Sequence, residues 1–250
     1  MVKGETLRIQ ASDVSLAIVC PMANEAETAI HFVNRMLEET AILREVVFIA
    51  VLDNVSKDET LDLLREMAAK EARLRVVWAP ENKYVVDAYM RGYREALATE
   101  FKWILEVDAG FSHQPENISR FFGPMLEGYD CIFGSRFCKG GRISELPLRR
   151  YLLSRGGSIL TNLLLGTRLS DMTSGYQMFQ RKALQHVLDR GILSRRHFFQ
   201  TEIKVYCRDM NFMEVPIHYR APSNRITGVA VLDAFVHLFD LFRQRLAGSL

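Results

Sequence analysis

Short apolar runs alternate with amphipathic segments through the first half of the chain. The runs predict five strands, at residues 14–20, 45–53, 74–80, 101–108 and 129–135. The segments between them predict helices at 24–39, 56–72, 87–100 and 115–126, the first of them capped by Asn24. Continuous apolar strands that alternate with helices are typical of α/β proteins with a mostly parallel, mixed sheet and helices on both faces.

The second half has a different pattern. After a polar loop, the pattern predicts a helix at 151–166, a turn into a short strand at 170–180, a helix at 197–210 and a strand at 211–222. Neither a repeat nor a clear linker interrupts the chain. We therefore expect one domain over residues 1–250, made of a first half at 14–136, a second half at 137–226 and a C-terminal helix at 227–250.

The C-terminal helix carries a wide apolar stripe. Its members are Leu232, Phe235, Val236, Phe239, Phe242 and Leu246. A stripe of this kind usually packs into the core. Because it is rich in phenylalanine and ends in Arg243 and Arg245, the alternative is that it docks on a bilayer surface or a partner subunit.

Composition restricts the partners and the compartment. A net charge of +2 and the lack of a basic cluster interleaved with aromatics argue against nucleic acid. The four cysteines form no CxxC pair, which favours structural thiols in a reducing compartment. Neither a signal core nor a run long enough to span a bilayer is present in the sequence. We expect a cytoplasmic protein whose membrane contact, if it has one, is peripheral.

Polar residues stand where several predicted strands end. Asp53 and Asp108 close two strands, and the turns Pro21–Glu25 and Gly134–Arg136 follow two others. Ligands of parallel sheets bind beyond the carboxyl ends of the strands, so these residues predict a site there. Glu106 lies two residues before Asp108, and the spacing places both carboxylates on the same side of the strand.

Six motifs in order carry a family resemblance: CPMANEAET, VLDNVSKDET, EVDAGFSHQPE, FGSRFCKGG, SRGGSILTNLLLGTRLSDMTSGYQMFQRKAL and FQTEIKVYCRDMNFMEVPIHY. Together they resemble family 2 glycosyltransferases of the GT-A fold, and most closely those of the dolichol- or polyprenol-phosphate mannosyltransferase type. The resemblance runs from about residue 14 to about residue 240. It implies a nucleotide-binding first half and an acceptor-binding second half.

The resemblance implies transfer of a hexose, with mannose favoured, from a nucleotide-diphosphate sugar to a polyprenyl or dolichyl phosphate with inversion. GDP-mannose is the favoured donor, followed by a UDP-sugar. The acceptor could instead be soluble or a glycan, and a non-catalytic relative that only binds nucleotide sugar is the remaining alternative.

The resemblance also implies roles for individual residues. Asp108 would hold Mg²⁺ or Mn²⁺ or the donor phosphate, while Arg136 and Arg225 would neutralise the leaving diphosphate. Asp53 would read the base, and Glu202 would face the sugar or, as we favour, orient an arginine. The expected substrate-binding residues are Pro21, Asn24, Glu25, Asp53, Asn82, Asp171, Ser174, Gln200 and Glu202.

Departures from the family pattern include two motifs of the nucleotide-binding half. The usual Asp-x-Asp is Asp108-Ala109-Gly110, and the usual Asn-x-Gly-x-Gly loop is Asn82–Val86. Glu106, together with His113, could supply the missing charge as a second metal ligand. The alternative, which we favour, is that Glu106 pairs with a nearby arginine or lysine and binds no metal. In that case activity would depend on Arg136 more than on a metal.

Overall fold

The computed structural model describes residues 14–145, 147–220 and 228–250. Nine strands lie within them: β1 (Ser15–Pro21), β2 (Glu45–Leu52), β3 (Leu74–Trp78), β4 (Trp103–Glu106), β5 (Cys131–Ser135), β6 (Arg142–Ser144), β7 (Gln177–Gln180), β8 (Phe212–Pro216) and β9 (His218–Arg220). Seven of these strands form one sheet in the order β3-β2-β1-β4-β7-β5-β8, and β6 pairs with β9 in a second, small sheet.

Eight α-helices accompany the strands in the described ranges. They are α1 (Ala29–Glu39), α2 (Thr60–Ala68), α3 (Val85–Leu97), α4 (Phe122–Leu126), α5 (Leu148–Leu165), α6 (Arg181–Arg190), α7 (Phe199–Tyr206) and α8 (Gly228–Leu246), and a 3₁₀ helix spans Pro115–Phe121. None of these helices combines the length and the hydrophobicity that crossing a membrane requires.

Strand directions confirm the predicted mixed, mostly parallel sheet. Strand β1 pairs in parallel with both β2 and β4, and β5 pairs in parallel with β8. Strand β7 runs antiparallel between β4 and β5. Its amino end therefore lies at the same edge of the sheet as the carboxyl ends of its neighbours. The turn before β7 and the loops after β1, β2, β4 and β5 meet at this edge, which we call the rim.

Apolar side chains pack on both faces of the sheet. Along β1, Leu16 and Ile18 enter one hydrophobic cluster while Ala17 and Val19 enter the other, because successive strand residues point to opposite faces. Helix α1 contributes to the first cluster and α3 to the second. A sheet covered on both faces is rigid, and the loops of the rim are the part left open to ligands.

The prediction that Asn24 caps the first helix is wrong. Helix α1 begins at Ala29, and Asn24 lies in a turn with a positive φ of 58°. Its side chain instead donates to the carbonyl of Val55 at 3.1 Å and accepts from the amide of Lys57 at 2.8 Å. The loop after β2 therefore takes the hydrogen-bonding groups that a cap would use.

The prediction that the apolar stripe of the C-terminal helix packs into the core is also wrong. Leu232, Phe235 and Phe239 of α8 are each more than half exposed, and Leu246 is more exposed still. The residues of α8 that are buried are Leu238 and Leu241, on an adjacent face of the helix. The stripe consequently remains available to a partner or a surface outside the described chain.

Candidate functional site

Asp108 lies at the rim, two residues beyond β4, with its side chain 38% exposed. The hydroxyl of Tyr89 on α3 donates to its Oδ1. The backbone amide of Asp108 donates to Nδ1 of the buried His113 at 3.3 Å. Burial lowers the pKa of His113 to about 4, so the ring is neutral at pH 7 and its Nδ1 acts as an acceptor. Asp108 is thus fixed at its backbone and at Oδ1, while its Oδ2 lies 3.5 Å from Nδ1 of His113 and accepts no hydrogen bond from the described residues.

Three further predicted residues lie at or just after the ends of β1, β2 and β3. Asp53 is buried directly after β2, where its Oδ1 accepts from the amide of Val55 at 2.9 Å. Asn82 follows β3, and its Nδ2 is buried with no hydrogen-bond partner among the described residues. Pro21 is the last residue of β1. An unsatisfied buried amide and a carboxylate at neighbouring strand ends fit a polar ligand that supplies the missing groups.

Glu106 is fully buried at the end of β4. Its carboxylate accepts from the hydroxyl of Tyr93, from Nε2 of Gln177 at 2.7 Å and from Nε2 of Gln200 at 3.0 Å. Burial raises its pKa to about 8, and the charge of Asp108 adds to the rise. With three neutral donors and no exposed oxygen, Glu106 is poorly placed to bind a metal. Its partners are amides and a hydroxyl rather than an arginine or lysine.

A glycine makes this arrangement possible. A Cβ added to Gly175, in the turn before β7, would lie 2.0 Å from Nε2 of Gln200. Any larger residue at this position would push the Gln200 amide away from Glu106. Gln200, predicted to bind substrate, is therefore engaged with Glu106 and is buried.

Arg136 and Asp171 form a buried ion pair at the rim. The guanidinium of Arg136 donates to Asp171 through Nε at 2.7 Å and through Nη2 at 2.8 Å, and Nη2 also reaches Thr173 at 2.5 Å. Although burial opposes it, the charge and hydrogen bonds of Arg136 lower the pKa of Asp171 to about 2. Asp171 thus orients the arginine and is not itself open to a substrate.

A buried lysine lies beside this pair. Lys204 on α7 donates to the carbonyls of Met172 at 3.3 Å and Ser174 at 2.5 Å. Burial lowers its pKa to about 8, against the opposing charge of Asp171. Ser174 is itself buried, and its hydroxyl accepts from the amide of Tyr176 at 3.4 Å. The predicted substrate-binding turn is therefore held from below by a cation that the sequence motifs did not indicate.

A cavity of about 560 Å³ opens beside Arg136. Its lining combines three arginines with apolar side chains: Arg136, Phe137, Gly141, Arg142, Ile143, Leu148, Tyr151 and Arg155. Arg155 also donates to the carbonyl of Ser170 at 2.9 Å, which ties α5 to the turn that carries Asp171. A cavity with this lining suits an anion attached to an apolar group.

The carboxylates and the arginines of the rim are connected. The ring of His113, which contacts Asp108, lies 5.3 Å from the ring of Tyr219, and the guanidinium of Arg136 lies 5.3 Å from that same ring. Tyr219 belongs to β9 and forms an isolated bridge with His113. We call Glu25, Asp53 and Asp108 the carboxylate side of the site, and Arg136, Asp171 and Lys204 the arginine side.

One predicted residue takes no part in the rim. Glu202 is fully buried and accepts from the amides of Leu193 at 2.8 Å and Ser194 at 3.0 Å and from the hydroxyl of Tyr206 at 2.8 Å. It fixes the segment before α7 and pairs with no arginine among the described residues, so its contacts support neither expected role, facing a sugar or orienting an arginine. Arg225 lies outside the described residues.

Tyr89 and Tyr93 are site residues that the sequence reading missed. They are four residues apart on α3, so both lie on the face that packs against the sheet. Their hydroxyls reach Asp108 and Glu106, which are two residues apart on the neighbouring strand segment. The sequence does contain a signal for this contact. Two tyrosines four residues apart lie on one face of a helix, and two acids two residues apart lie on one side of a strand, so the two pairs can meet where the helix packs on the sheet.

The mixed sheet, its antiparallel strand β7 and the charged residues at its rim agree with a GT-A glycosyltransferase fold. The sequence profile of glycosyl transferase family 2 matches residues 17–188. The chain therefore belongs to this family and is a glycosyltransferase.

Curated relatives are of the polyprenol-phosphate mannosyltransferase type, as the motifs predicted. The chain is 29% identical over 219 residues to the polyprenol monophosphomannose synthase of Mycolicibacterium smegmatis, covering 86% of this chain and 80% of that protein. It is 28% identical over 195 residues to the undecaprenyl-phosphate mannosyltransferase of Micrococcus luteus, covering 76% and 80%.

Solved structures support the fold. Glucosyl-3-phosphoglycerate synthase from Mycobacterium tuberculosis with uridine diphosphate superposes with a TM-score of 0.62 at 18% identity, covering 96% of this chain and 84% of that one. The same enzyme with Mn²⁺, UDP-glucose and phosphoglyceric acid gives 0.61 at 19% identity, covering 98% and 82%.

Proposed function

We propose that this glycosyltransferase moves a hexose, with mannose favoured, from a nucleotide-diphosphate sugar to a polyprenyl phosphate, with inversion at the anomeric carbon. The observation that carries the proposal is the cavity beside Arg136. It offers Arg142 and Arg155 to a phosphate and Leu148 and Tyr151 to a hydrocarbon chain. The named relatives act on polyprenyl-type phosphates, which agrees with that lining.

The nucleotide would bind on the carboxylate side. Asp53 would accept a hydrogen bond from a ring N–H of the base, and the unsatisfied amide of Asn82 would donate to the nucleotide. The names of the relatives give mannose as the sugar, and the family resemblance favours GDP-mannose as its donor. A UDP-sugar is the next choice. Arg225 stays a predicted ligand of the diphosphate.

A divalent cation fits the carboxylate side. The described residues contain no group of three histidine, cysteine or acidic side chains that could hold one alone. Mg²⁺, however, usually takes only one or two protein carboxylates and completes its shell with substrate phosphates and water. Oδ2 of Asp108, which accepts no hydrogen bond from the described residues, could be such a ligand for Mg²⁺ or for Mn²⁺. Bound there, the ion would stabilise the negative charge that develops on the leaving diphosphate.

The reaction needs little proton transfer. An oxygen of the acceptor phosphate attacks the anomeric carbon, and the bond from that carbon to the diphosphate oxygen breaks with its electron pair. The products are the glycosyl phospholipid and the nucleoside diphosphate. Arg136, held by Asp171, would neutralise the leaving diphosphate, as the resemblance implies, while Arg142 and Arg155 would keep the acceptor phosphate in line with the bond that breaks. Approach opposite the leaving group gives inversion.

We further propose that α5 and α8 rest on the cytoplasmic face of an anionic bilayer. Both helices expose large apolar side chains, among them Leu152 and Leu163 on α5 and Phe235 and Phe239 on α8. The two helices are in contact, and Leu148 and Tyr151 continue the exposed surface of α5 into the cavity. Exposed arginines border the surface, which suits anionic headgroups. A lipid acceptor could then enter the cavity directly from the membrane.

The acceptor is tested with radiolabelled GDP-mannose and UDP-glucose, each offered with polyprenyl phosphate or with soluble acceptors. We expect label to enter the organic phase with one donor and polyprenyl phosphate only. Arg155→Ala should raise the KM for the lipid phosphate about tenfold or more, because a charge-assisted contact is lost. Product that remains in the aqueous phase would show that the acceptor is soluble and not a lipid. Nucleotide binding without turnover on any donor would favour a non-catalytic protein.

Membrane contact is tested by flotation with anionic and neutral vesicles. We expect the chain to float with anionic vesicles, and Phe235→Asp with Phe239→Asp to abolish flotation. Val55→Asp is the matched control, since Val55 is equally exposed but lies on the loop after β2. Unchanged flotation of the double variant would show that α8 does not contact the membrane. If the wild type does not float either, a partner subunit on this surface is favoured.

A further inference from the structure

Gly110 stands where the family motif has its second acid, and its space is already occupied. A Cβ added to Gly110 would lie 3.0 Å from Oε2 and 3.1 Å from Oε1 of Glu25. The residue also has a positive φ of 73°, which glycine adopts without strain. The carboxylate of Glu25 therefore lies where a side chain at position 110 would begin.

Glu25 is held firmly in this position by the turn between β1 and α1. Its backbone amide donates to Oγ1 of Thr60 at 2.8 Å, and its carbonyl accepts from the amide of Ala29 at 2.7 Å. Oε2 accepts from Oγ1 of Thr28 at 2.6 Å. Within the part of the chain that the structure describes, Oε1 has no hydrogen-bond donor. One oxygen is thus anchored while the other is left for a ligand.

No cation balances this carboxylate within the described residues. Glu25 is half-buried, and no lysine, arginine or histidine of those residues lies within ion-pair distance of it. Asp108 is two residues before Gly110 on the same loop, with one oxygen bound by Tyr89. Glu25 and Asp108, on the loops after β1 and β4, are consequently two carboxylates of the rim that each have one oxygen without a hydrogen-bond donor among the described residues.

We propose that Glu25 is the second metal ligand of this enzyme and replaces the acid that is missing at position 110. Glu25 and Asp108 would each give one oxygen to a hard divalent cation, and the donor diphosphate would complete its shell. This inference rests on the proposed donor, since the diphosphate is part of the site. It differs from the alternative in which Glu106 is the second metal ligand, because the oxygens of Glu106 already accept from Tyr93, Gln177 and Gln200.

Mn²⁺ binding tests the proposal without turnover. Free Mn²⁺ is followed by electron paramagnetic resonance in the presence of GDP or UDP, whichever nucleotide binds. We expect Glu25→Gln and Asp108→Asn each to weaken Mn²⁺ binding about tenfold or more. Glu27→Gln is the matched control, because Glu27 is an exposed glutamate two residues away and should bind Mn²⁺ like the wild type. Unchanged Mn²⁺ affinity in Glu25→Gln overturns the proposal.

An exchange of the two positions gives a second, independent test. Gly110→Asp alone should weaken Mn²⁺ binding, because its Cβ meets the Glu25 carboxylate and places two like charges together. Glu25→Ala alone should weaken Mn²⁺ binding by loss of a ligand. The double variant Glu25→Ala, Gly110→Asp should bind Mn²⁺ more tightly than either single one, since aspartate tolerates a positive φ better than most residues. Additive losses in the double variant would contradict the exchange.

The failure of this inference can be told from a failure of the proposed function. If wild-type protein transfers sugar but Mn²⁺ and Mg²⁺ neither bind nor alter the rate, Glu25 is not a metal ligand and the proposed reaction stands. If Mn²⁺ binds with nucleotide through Glu25 but no donor and acceptor react, the metal site stands and the proposed reaction fails.

Discussion

The two sides of the site differ in how their charged groups are partnered. On the arginine side, Arg136 and Asp171 are buried and paired through two hydrogen bonds, and Lys204 is satisfied by two carbonyls. On the carboxylate side, Asp108 is partly exposed and has one oxygen without a hydrogen-bond donor, and Glu25 has no cation within ion-pair distance among the described residues. Buried charges with partners position a site, whereas charges left without them can take up a ligand.

The difference predicts which side supports the fold and which side supports binding. Neutralising a charge on the arginine side should be felt first as lost stability, because the partner charge is left buried. Neutralising a charge on the carboxylate side should be felt as lost ligand affinity with a nearly intact fold. Matched substitutions on the two sides can break or sharpen this contrast.

The largest effect is expected for Asp171→Asn, an isosteric change that leaves Arg136 buried with no opposite charge. We expect the free energy of unfolding, measured by urea denaturation at pH 7, to fall by about 3–5 kcal/mol. The matched change Asp108→Asn keeps an acceptor for Tyr89 and should cost about 1 kcal/mol or less. Equal losses for the two variants would remove the contrast between the sides.

The pH dependence of the same pair provides its control. Because the pKa of Asp171 is lowered to about 2, its stabilising contribution is present above its unfolded pKa of 3.8 and is lost as the pH falls towards 2. The stability gap between wild type and Asp171→Asn should therefore narrow below about pH 4. A gap that stays constant down to pH 2 would mean that shape rather than charge causes the loss.

A smaller effect than that of Asp171→Asn is expected for Gly175→Ala, which should displace the Gln200 amide from Glu106. We expect a loss of about 1–3 kcal/mol in the free energy of unfolding, the cost of a broken hydrogen bond to a carboxylate. If this contact is the cause, Gly175→Ala should cost little more in a Gln200→Ala background. Additive losses in the double variant would place the strain elsewhere.

The sequence predicted where the rim residues lie better than what they contact. Asp53 and Asp108 could be placed because strand ends follow from apolar periodicity and parallel strands end at one edge. Partners across the fold depend on the strand order. The antiparallel β7 puts Gln177 beside Glu106. Because the two residues are far apart in the sequence, the residues next to each of them in the chain do not predict this contact.

Helix ends and the exposed stripe of α8 show the same limit. Asn24 is a good cap residue, yet hydrogen bonds to the loop after β2 outweighed local preference. The stripe of α8 has the spacing of a core face, but periodicity cannot tell which of two apolar faces a helix buries. Both errors arise where tertiary contacts decide between locally equal choices.

Glu106 belongs to neither side and makes a third prediction possible. Its pKa is raised to about 8 in the fold, while its ordinary value is 4.5, so the folded chain binds the additional proton between these values. Stability should therefore fall as pH rises from about 5 to 8, by up to about 1.4 kcal/mol per pH unit from this group. Glu106→Gln should flatten that dependence, as measured by urea denaturation at several pH values.

Gln177 determines how the neutral form is accommodated. Its Oε1 is buried without a partner among the described residues, so rotation of the amide would let it accept from a protonated Glu106 or from a glutamine there. Glu106→Gln should consequently fold normally. The same slope in wild type and Glu106→Gln would show that Glu106 is ionised throughout this range.

The smallest effect is expected for Asp53→Asn on the carboxylate side. The amide keeps an acceptor for Val55, so the free energy of unfolding should change by about 0.5 kcal/mol or less. A hydrogen bond from a base N–H to a carboxylate is stronger than one to an amide by about 1 kcal/mol, so GDP or UDP should bind about five- to tenfold more weakly by calorimetry. Asp62→Asn, an exposed aspartate on α2, should leave nucleotide affinity unchanged. If Asp53→Asn instead destabilises the chain while the protein that stays folded binds nucleotide normally, Asp53 supports the fold as Asp171 does. The division between the two sides would then not hold at Asp53.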